Sequence, residues 1–142
     1  MEGAYAVVHT ASPVGANPEN HADMIDPAVN GVRSILEAAR EHGCKRVVIT
    51  SSCSAVACCK PEERPADGVY TEAQWSCCQT YHFQAYTKSK TMAEQAAWAF
   101  KDGPEIVTIC PSFILGEVIG AGELTSATVV KRMLTGGIPG WP

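Results

Sequence analysis

The chain of 142 residues has little charge of either sign and no concentration of it: 11 basic and 15 acidic side chains give a net charge of -4. No run of like charge exists to form a nucleic-acid arm or a basic membrane-surface patch, so neither partner is expected. Long hydrophobic runs are also missing, although 46% of residues are hydrophobic. The opening Met1-Glu2-Gly3-Ala4-Tyr5 has no basic n-region, and only a few apolar residues separate it from His9. Neither a signal peptide nor a spanning helix is expected on that pattern, and a soluble, cytoplasmic protein is expected. Internal repeats and low-complexity segments are absent too. The length allows one compact domain and not two.

Cysteine is the exception to this scarcity, with seven residues. Their odd number, irregular spacing and cytoplasmic setting argue for reduced thiols rather than a disulfide framework. The doublets Cys58-Cys59 and Cys77-Cys78 could in principle ligate zinc. Adjacent thiolates chelate one tetrahedral ion poorly, so no metal site is expected and the cysteines are read as small apolar fillers and loop residues.

Short apolar runs alternate with longer helical patterns, the signature of an α/β chain. Residues 4–8 form a strand-like run that stops at His9-Thr10-Ala11-Ser12-Pro13, and a polar loop continues to about His21. Asp26-Pro27 then reads as an N-cap followed by proline at the first helical position. Val29, Val32, Ile35, Leu36 and Ala39 supply one apolar face of that helix, which Gly43 ends. Val47-Val48-Ile49 has the β-branched composition of a strand buried on both faces, and it ends at Thr50-Ser51-Ser52. About thirty irregular residues follow, containing Pro61, Pro65 and Gly68. Such an excursion inside a compact domain is usually functional.

A second helix is predicted from about Gln84 to Phe100, with Met92, Ala93, Ala96, Ala97 and Phe100 on one side and Gly103-Pro104 ending it. Residues 106–110 give a third strand. Gly116, Gly120 and Gly122 then precede a last helix over residues 126–134, and no helix or strand signal is present in residues 138–142. The order strand, helix, strand, long loop, helix, strand, helix is one βαβαβ half of a doubly wound parallel sheet, a partial Rossmann-like domain spanning residues 1–142.

Ligands of such sheets bind at the carboxyl ends of the strands. Here those ends carry Thr10-Ala11-Ser12-Pro13, Thr50-Ser51-Ser52 and Pro111-Ser112-Phe113, small and hydroxylated residues gathered at one rim. Tyr86 and Lys90, four apart on the second helix, project from the same face with Cβ atoms roughly 5–6 Å apart. A nearby ammonium favours the phenolate and lowers the pKa of a phenol from about 10, so Tyr86 can hand a proton to a carbonyl oxygen as hydride reaches the carbon. Lys88, two residues away, faces elsewhere. Ser52, with Ser51 as its alternative, is placed to hydrogen-bond the same oxygen.

These residues resemble the extended short-chain dehydrogenase/reductase family that includes plant dihydroflavonol reductases and cinnamoyl-CoA reductases. The run from Tyr86 through Lys90 and Ala93-Glu94-Gln95-Ala96-Ala97-Trp98 is similar to the family's catalytic helix. Val47 to Ser52 resembles its fifth strand with the catalytic serine, and the stretch from His9 to Pro13 resembles the segment that passes beside the cofactor. The resemblance implies a reductase of aldehydes or ketones that uses NADP(H), or NAD(H), with Ser52, Tyr86, Lys90 and Asn30 at the catalytic centre. It implies cofactor contacts from Thr10, Ala11, Ser12, Thr50, Ser51, Tyr86, Lys90, Pro111, Ser112, Phe113, Ile114 and Ser126.

Departures from the family pattern bear on substrate. Ala57 stands where dihydroflavonol reductases have Asn or Asp, and Ala85 stands where cinnamoyl-CoA reductases have tryptophan. A general aldehyde or ketone is therefore the expected small-molecule partner. No Gly-x-x-Gly-x-x-Gly precedes Ala4, and residues 1–142 are expected to lack the family's substrate domain. A fragment of a longer reductase, inactive alone and prone to self-association through an exposed sheet edge, is the expectation. A non-catalytic cofactor-binding scaffold and a nucleotide-sugar epimerase or hydroxysteroid dehydrogenase of the same superfamily are the alternatives.

Overall fold

The computed structural model describes residues 1–15, 18–77, 84–117 and 125–137. Cys78, Gly120, Gly122 and the expected irregular end at 138–142 lie outside them. The chain divides into two units, Met1–Pro111 and Ser112–Pro142.

In the first unit, three parallel strands form a sheet in the order β1-β2-β3: β1 (Ala6–His9), β2 (Arg46–Thr50) and β3 (Glu105–Ile109). Val7 pairs with Val47, and Val47 with Ile106, so the register brings the carboxyl ends of all three strands to one edge. Helix α1 (Ala22–Glu41) connects β1 to β2, and α2 (Gln84–Ala99) lies between β2 and β3. This is the expected parallel α/β arrangement, with strand ends displaced by one or two residues.

Helix α1 begins several residues before the predicted Asp26-Pro27 cap and contains Pro27 in its interior. The earlier start is anchored by Asn20, whose side-chain oxygen accepts from the Ala22 N–H at 3.2 Å and whose amide donates to Asp23. It also buries Met24 and Ile25. Burying two such side chains contributes roughly 1.5–3 kcal/mol each, against about 3 kcal/mol for an interior proline. Burial therefore outweighs the lost hydrogen bond. At the other end, Gly43 takes the left-handed conformation (φ 66°). Its N–H donates to Arg40 O, and the Cys44 N–H donates to Ala39 O, a Schellman stop.

The core lies between α1, α2 and one face of the sheet: Val32, Leu36 and Ala39 meet Val47, Ile49, Ala93 and Ala97. Val47 and Ile49 are buried while Val48, on the opposite face, is half-buried. The expectation of a strand buried on both faces is thus corrected, because both helices of this unit pack on the Val47 side. Helix α2 also turns buried hydroxyls inward, and they are satisfied locally: Ser89 Oγ donates to Tyr86 O and Thr91 Oγ1 to Thr87 O.

Between β2 and α2 the described chain is irregular apart from two short 3-10 turns, Cys53–Ala55 and Pro61–Glu63. Its ends are tied together, the Ser76 N–H donating to Ala55 O and the Cys77 N–H to Cys58 O. Of the cysteines, Cys44, Cys53, Cys58, Cys59, Cys77 and Cys110 are in no disulfide. The second unit contains α3 (Thr125–Leu134), which carries Lys131 and Arg132 in its last turn and stops at Gly136 with φ 71°. Among the described residues, no helix is long and apolar enough to cross a membrane.

Candidate active site

A parallel sheet delivers its strand ends to one rim, and α2 is laid along that rim by the packing of Ala93 and Ala97 into the core. The same packing turns the stripe Tyr86, Lys90 and Glu94, spaced by four, toward the ends of β2 and β3. Lys90 is buried, with a relative exposure of 6%. Its ammonium donates to the Thr50 carbonyl at 3.2 Å and sits 5.9 Å from the centroid of the Tyr86 ring. Burial holds Lys90 below the ordinary lysine range. Tyr86 itself is half-buried.

Ser52 is buried and extended in backbone, and its Oγ accepts from the Ser54 N–H at 3.1 Å, capping the first 3-10 turn. A hydroxyl that accepts one bond keeps its O–H as a donor. Ser51 points the other way, and its Oγ donates to the buried Glu94 carboxylate. The strand pairing continues past β2, with the Ser51 N–H donating to Ile109 O at 2.8 Å and the Cys53 N–H to Pro111 O at 2.9 Å. The serine turn is consequently fixed to the end of β3.

A small cleft opens between these elements, with Lys90, Glu94, Thr50 and Ser51 on one side and His9, Ala11 and Ser12 from the end of β1 on another. Ala28 and Val32 of α1 close it. Burial first, and then the Lys90 charge, hold the His9 imidazole below its usual range. Among the described residues no group of three or more His, Cys, Asp or Glu side chains is placed to hold a metal ion.

The structure therefore brings Ala11, Ser12, Thr50, Ser51 and Lys90 to one cleft, with Tyr86 beside Lys90 and Ser52 next to Ser51. Among the described residues, Tyr86 and Ser52 are not part of the cleft lining itself. Thr10 is exposed at the same strand end. Asn30 lies on the exposed side of α1 and is not brought to the others; its helical neighbours Ala28 and Val32 are the residues that reach the cleft. Pro111 reaches the rim through its carbonyl. Ser112, Phe113, Ile114 and Ser126 belong to the second unit, where Ser126 is half-buried on α3.

Sequence reasoning missed His9 and Glu94 as members of this cluster. His9 was detectable as the last residue of β1, immediately before the small-residue rim. Glu94 had a weaker signal: an acid one turn beyond Lys90, immediately after the apolar Ala93.

The profile of the 3-beta hydroxysteroid dehydrogenase/isomerase family matches residues 1–134. Cinnamoyl-CoA reductase 1 of Arabidopsis thaliana is 39% identical over 142 residues, covering 96% of this chain and 39% of that protein. Among solved structures, the yeast methylglyoxal/isovaleraldehyde reductase Gre2 complexed with NADPH matches with a TM-score of 0.61 and 32% identity, covering 75% of this chain and 34% of that one. Gre2 from Candida albicans in complex with NADPH matches with a TM-score of 0.72 and 27% identity, over 91% of this chain and 43% of that one. The chain spans about two fifths of the length of the curated relatives it matches.

Proposed function

Because the chain belongs to the 3-beta hydroxysteroid dehydrogenase/isomerase family, we propose that it carries the proton-delivering half of an NADPH-dependent reductase of aldehydes and ketones. The observation that carries this reading is the Lys90 ammonium, buried beneath the Tyr86 ring and held in place by the Thr50 carbonyl. A cation so close to a phenol stabilises the phenolate that remains when Tyr86 gives its proton to a carbonyl oxygen. The Ser52 hydroxyl, its oxygen engaged by Ser54, has its O–H to donate to that same oxygen.

The residues at the rim fit a dinucleotide. Thr50 takes one of the three N–H donors of Lys90, leaving two for the hydroxyls of a ribose. Ala11 and Ser12 are small enough to let a ring approach the end of β1. NADPH, which the Gre2 structures contain, supplies the hydride when bound. The substrate is a simple aldehyde or ketone rather than a flavonoid, as Ala57 offers no polar side chain at the position where dihydroflavonol reductases carry one.

The test is Tyr86→Phe in the reductase that contains this sequence. Turnover of a small aldehyde should fall roughly 10²–10⁴-fold, the usual loss on removing an acid catalyst, while NADPH affinity stays nearly unchanged. A wild-type rate in that variant removes Tyr86 from the mechanism.

A further inference from the structure

Glu94 presents a chemical puzzle that proton delivery by Tyr86 does not use. Its carboxylate is buried, with a relative exposure of 3%. Burying a carboxylate is costly unless its lone pairs are met. Four neutral donors meet them. Oε1 accepts from Trp98 Nε1 at 3.2 Å and from Thr108 Oγ1 at 3.0 Å. Oε2 accepts from Ser51 Oγ and from Cys110 Sγ, the latter at 3.6 Å.

The four donors come from three places. Trp98 is one turn farther along α2, Thr108 and Cys110 lie in and just beyond β3, and Ser51 lies just beyond β2. One helical turn earlier, Lys90 reaches Thr50. Helix α2 is thus fastened by two successive turns to two successive residues, Thr50 and Ser51, at the end of β2. The next residue is Ser52, whose hydroxyl must lie at a set distance from Tyr86 for both to reach one carbonyl oxygen.

We propose that Glu94 is a positioning residue: by holding the Ser51 hydroxyl and the end of β3 together, it fixes the Ser51–Ser52 turn against the helix that carries Tyr86 and Lys90. The inference rests on the reductase reading above and adds a residue to it. A carboxylate suits the task better than an amide. Trp98 can only donate, so a glutamine oxygen would have to stay with Trp98 and Thr108, turning its NH2 toward Ser51 and Cys110. The Ser51 hydroxyl would then have to accept instead of donate, and it would rotate.

The deciding experiment compares Glu94→Gln, Glu94→Ala and Tyr86→Phe in the reductase that contains this sequence, reading kcat and KM for a small aldehyde, the NADPH dissociation constant and Tm. Positioning errors of an ångström cost on the order of 10²-fold in rate. Glu94→Gln is expected to lower kcat about 10-fold and Glu94→Ala about 100-fold, with KM and NADPH affinity close to wild type. A purely structural role would lower Tm and leave kcat per folded molecule unchanged. That outcome in Glu94→Gln, with Tyr86→Phe slow, overturns the inference, as does a fall in rate that appears as raised KM or weakened NADPH binding. Glu94→Gln keeps the shape of the side chain and decides the matter even if Glu94→Ala fails to fold. A fast Tyr86→Phe instead overturns the reductase reading itself, so the two failures are distinguishable.

Discussion

Lys90 and His9 both line the cleft, together with Glu94. Lys90 is held low by burial, and His9 is held low first by its own burial and then by the Lys90 charge. The folded state therefore resists protonating His9, while the unfolded chain titrates near the ordinary 6.5. Between the depressed folded value and 6.5 the unfolded state binds more protons, so stability rises with pH through that window and is lost as pH falls through it. A His9→Gln variant should narrow the difference between urea midpoints measured at pH 7 and pH 5. An equal pH dependence in variant and wild type would show that His9 does not carry it.

At this scale the sequence was informative where spacing alone fixes a relation, as with Tyr86 and Lys90 four apart on a helix. Glu94 was not legible as a buried hub, because its partners Thr108, Cys110 and Ser51 are 14 to 43 residues away in the chain. Only the parallel pairing of β2 with β3 brings them together.

Among the elements, α1 shows how burial and backbone preference compete. Its central Leu36 is fully buried against the sheet, so Leu36→Ala should cost roughly 2–5 kcal/mol by chemical denaturation. Pro27 offers the opposite test. Replacing it with alanine restores an N–H toward the Asp23 carbonyl and removes a penalty of about 3 kcal/mol. It also frees the unfolded chain, which offsets roughly 0.4–1 kcal/mol. The helical term is larger, so Pro27→Ala should raise Tm, and a lowered Tm would mean that the helix is locally relaxed around the ring. The same competition explains the misplaced helix start: Asp26-Pro27 has the form of a cap, and only tertiary burial of Met24 and Ile25 reveals that the helix has already begun. Strand identity and order were readable from composition because β-branched runs are short and bounded by turn residues. Which face of β2 is covered was not, since that depends on where the two helices pack.

For the whole molecule, the relevant quantities are how much sheet the 142 residues complete and where cofactor affinity arises. Among the described residues β1 is paired only with β2, and Val8 within it and Tyr5 just before it have relative exposures of 68% and 77%. An unpaired strand edge with exposed apolar side chains templates association with another chain. Dinucleotide affinity in doubly wound sheets comes largely from a pyrophosphate seated on a helix N-terminus after a glycine-rich turn, and these 142 residues contain no Gly-x-x-Gly-x-x-Gly. The 142-residue chain made by itself should thus associate in sedimentation velocity and take up NADPH only weakly in calorimetry, since the role proposed for the cleft beside Lys90 is to hold the nicotinamide ribose alone. A dissociation constant of about 1 μM or tighter would correspond to more than about 8 kcal/mol of binding. That is more than a ribose-side contact set offers, and it would mean that the pyrophosphate is bound by some element of this chain other than a glycine-rich turn.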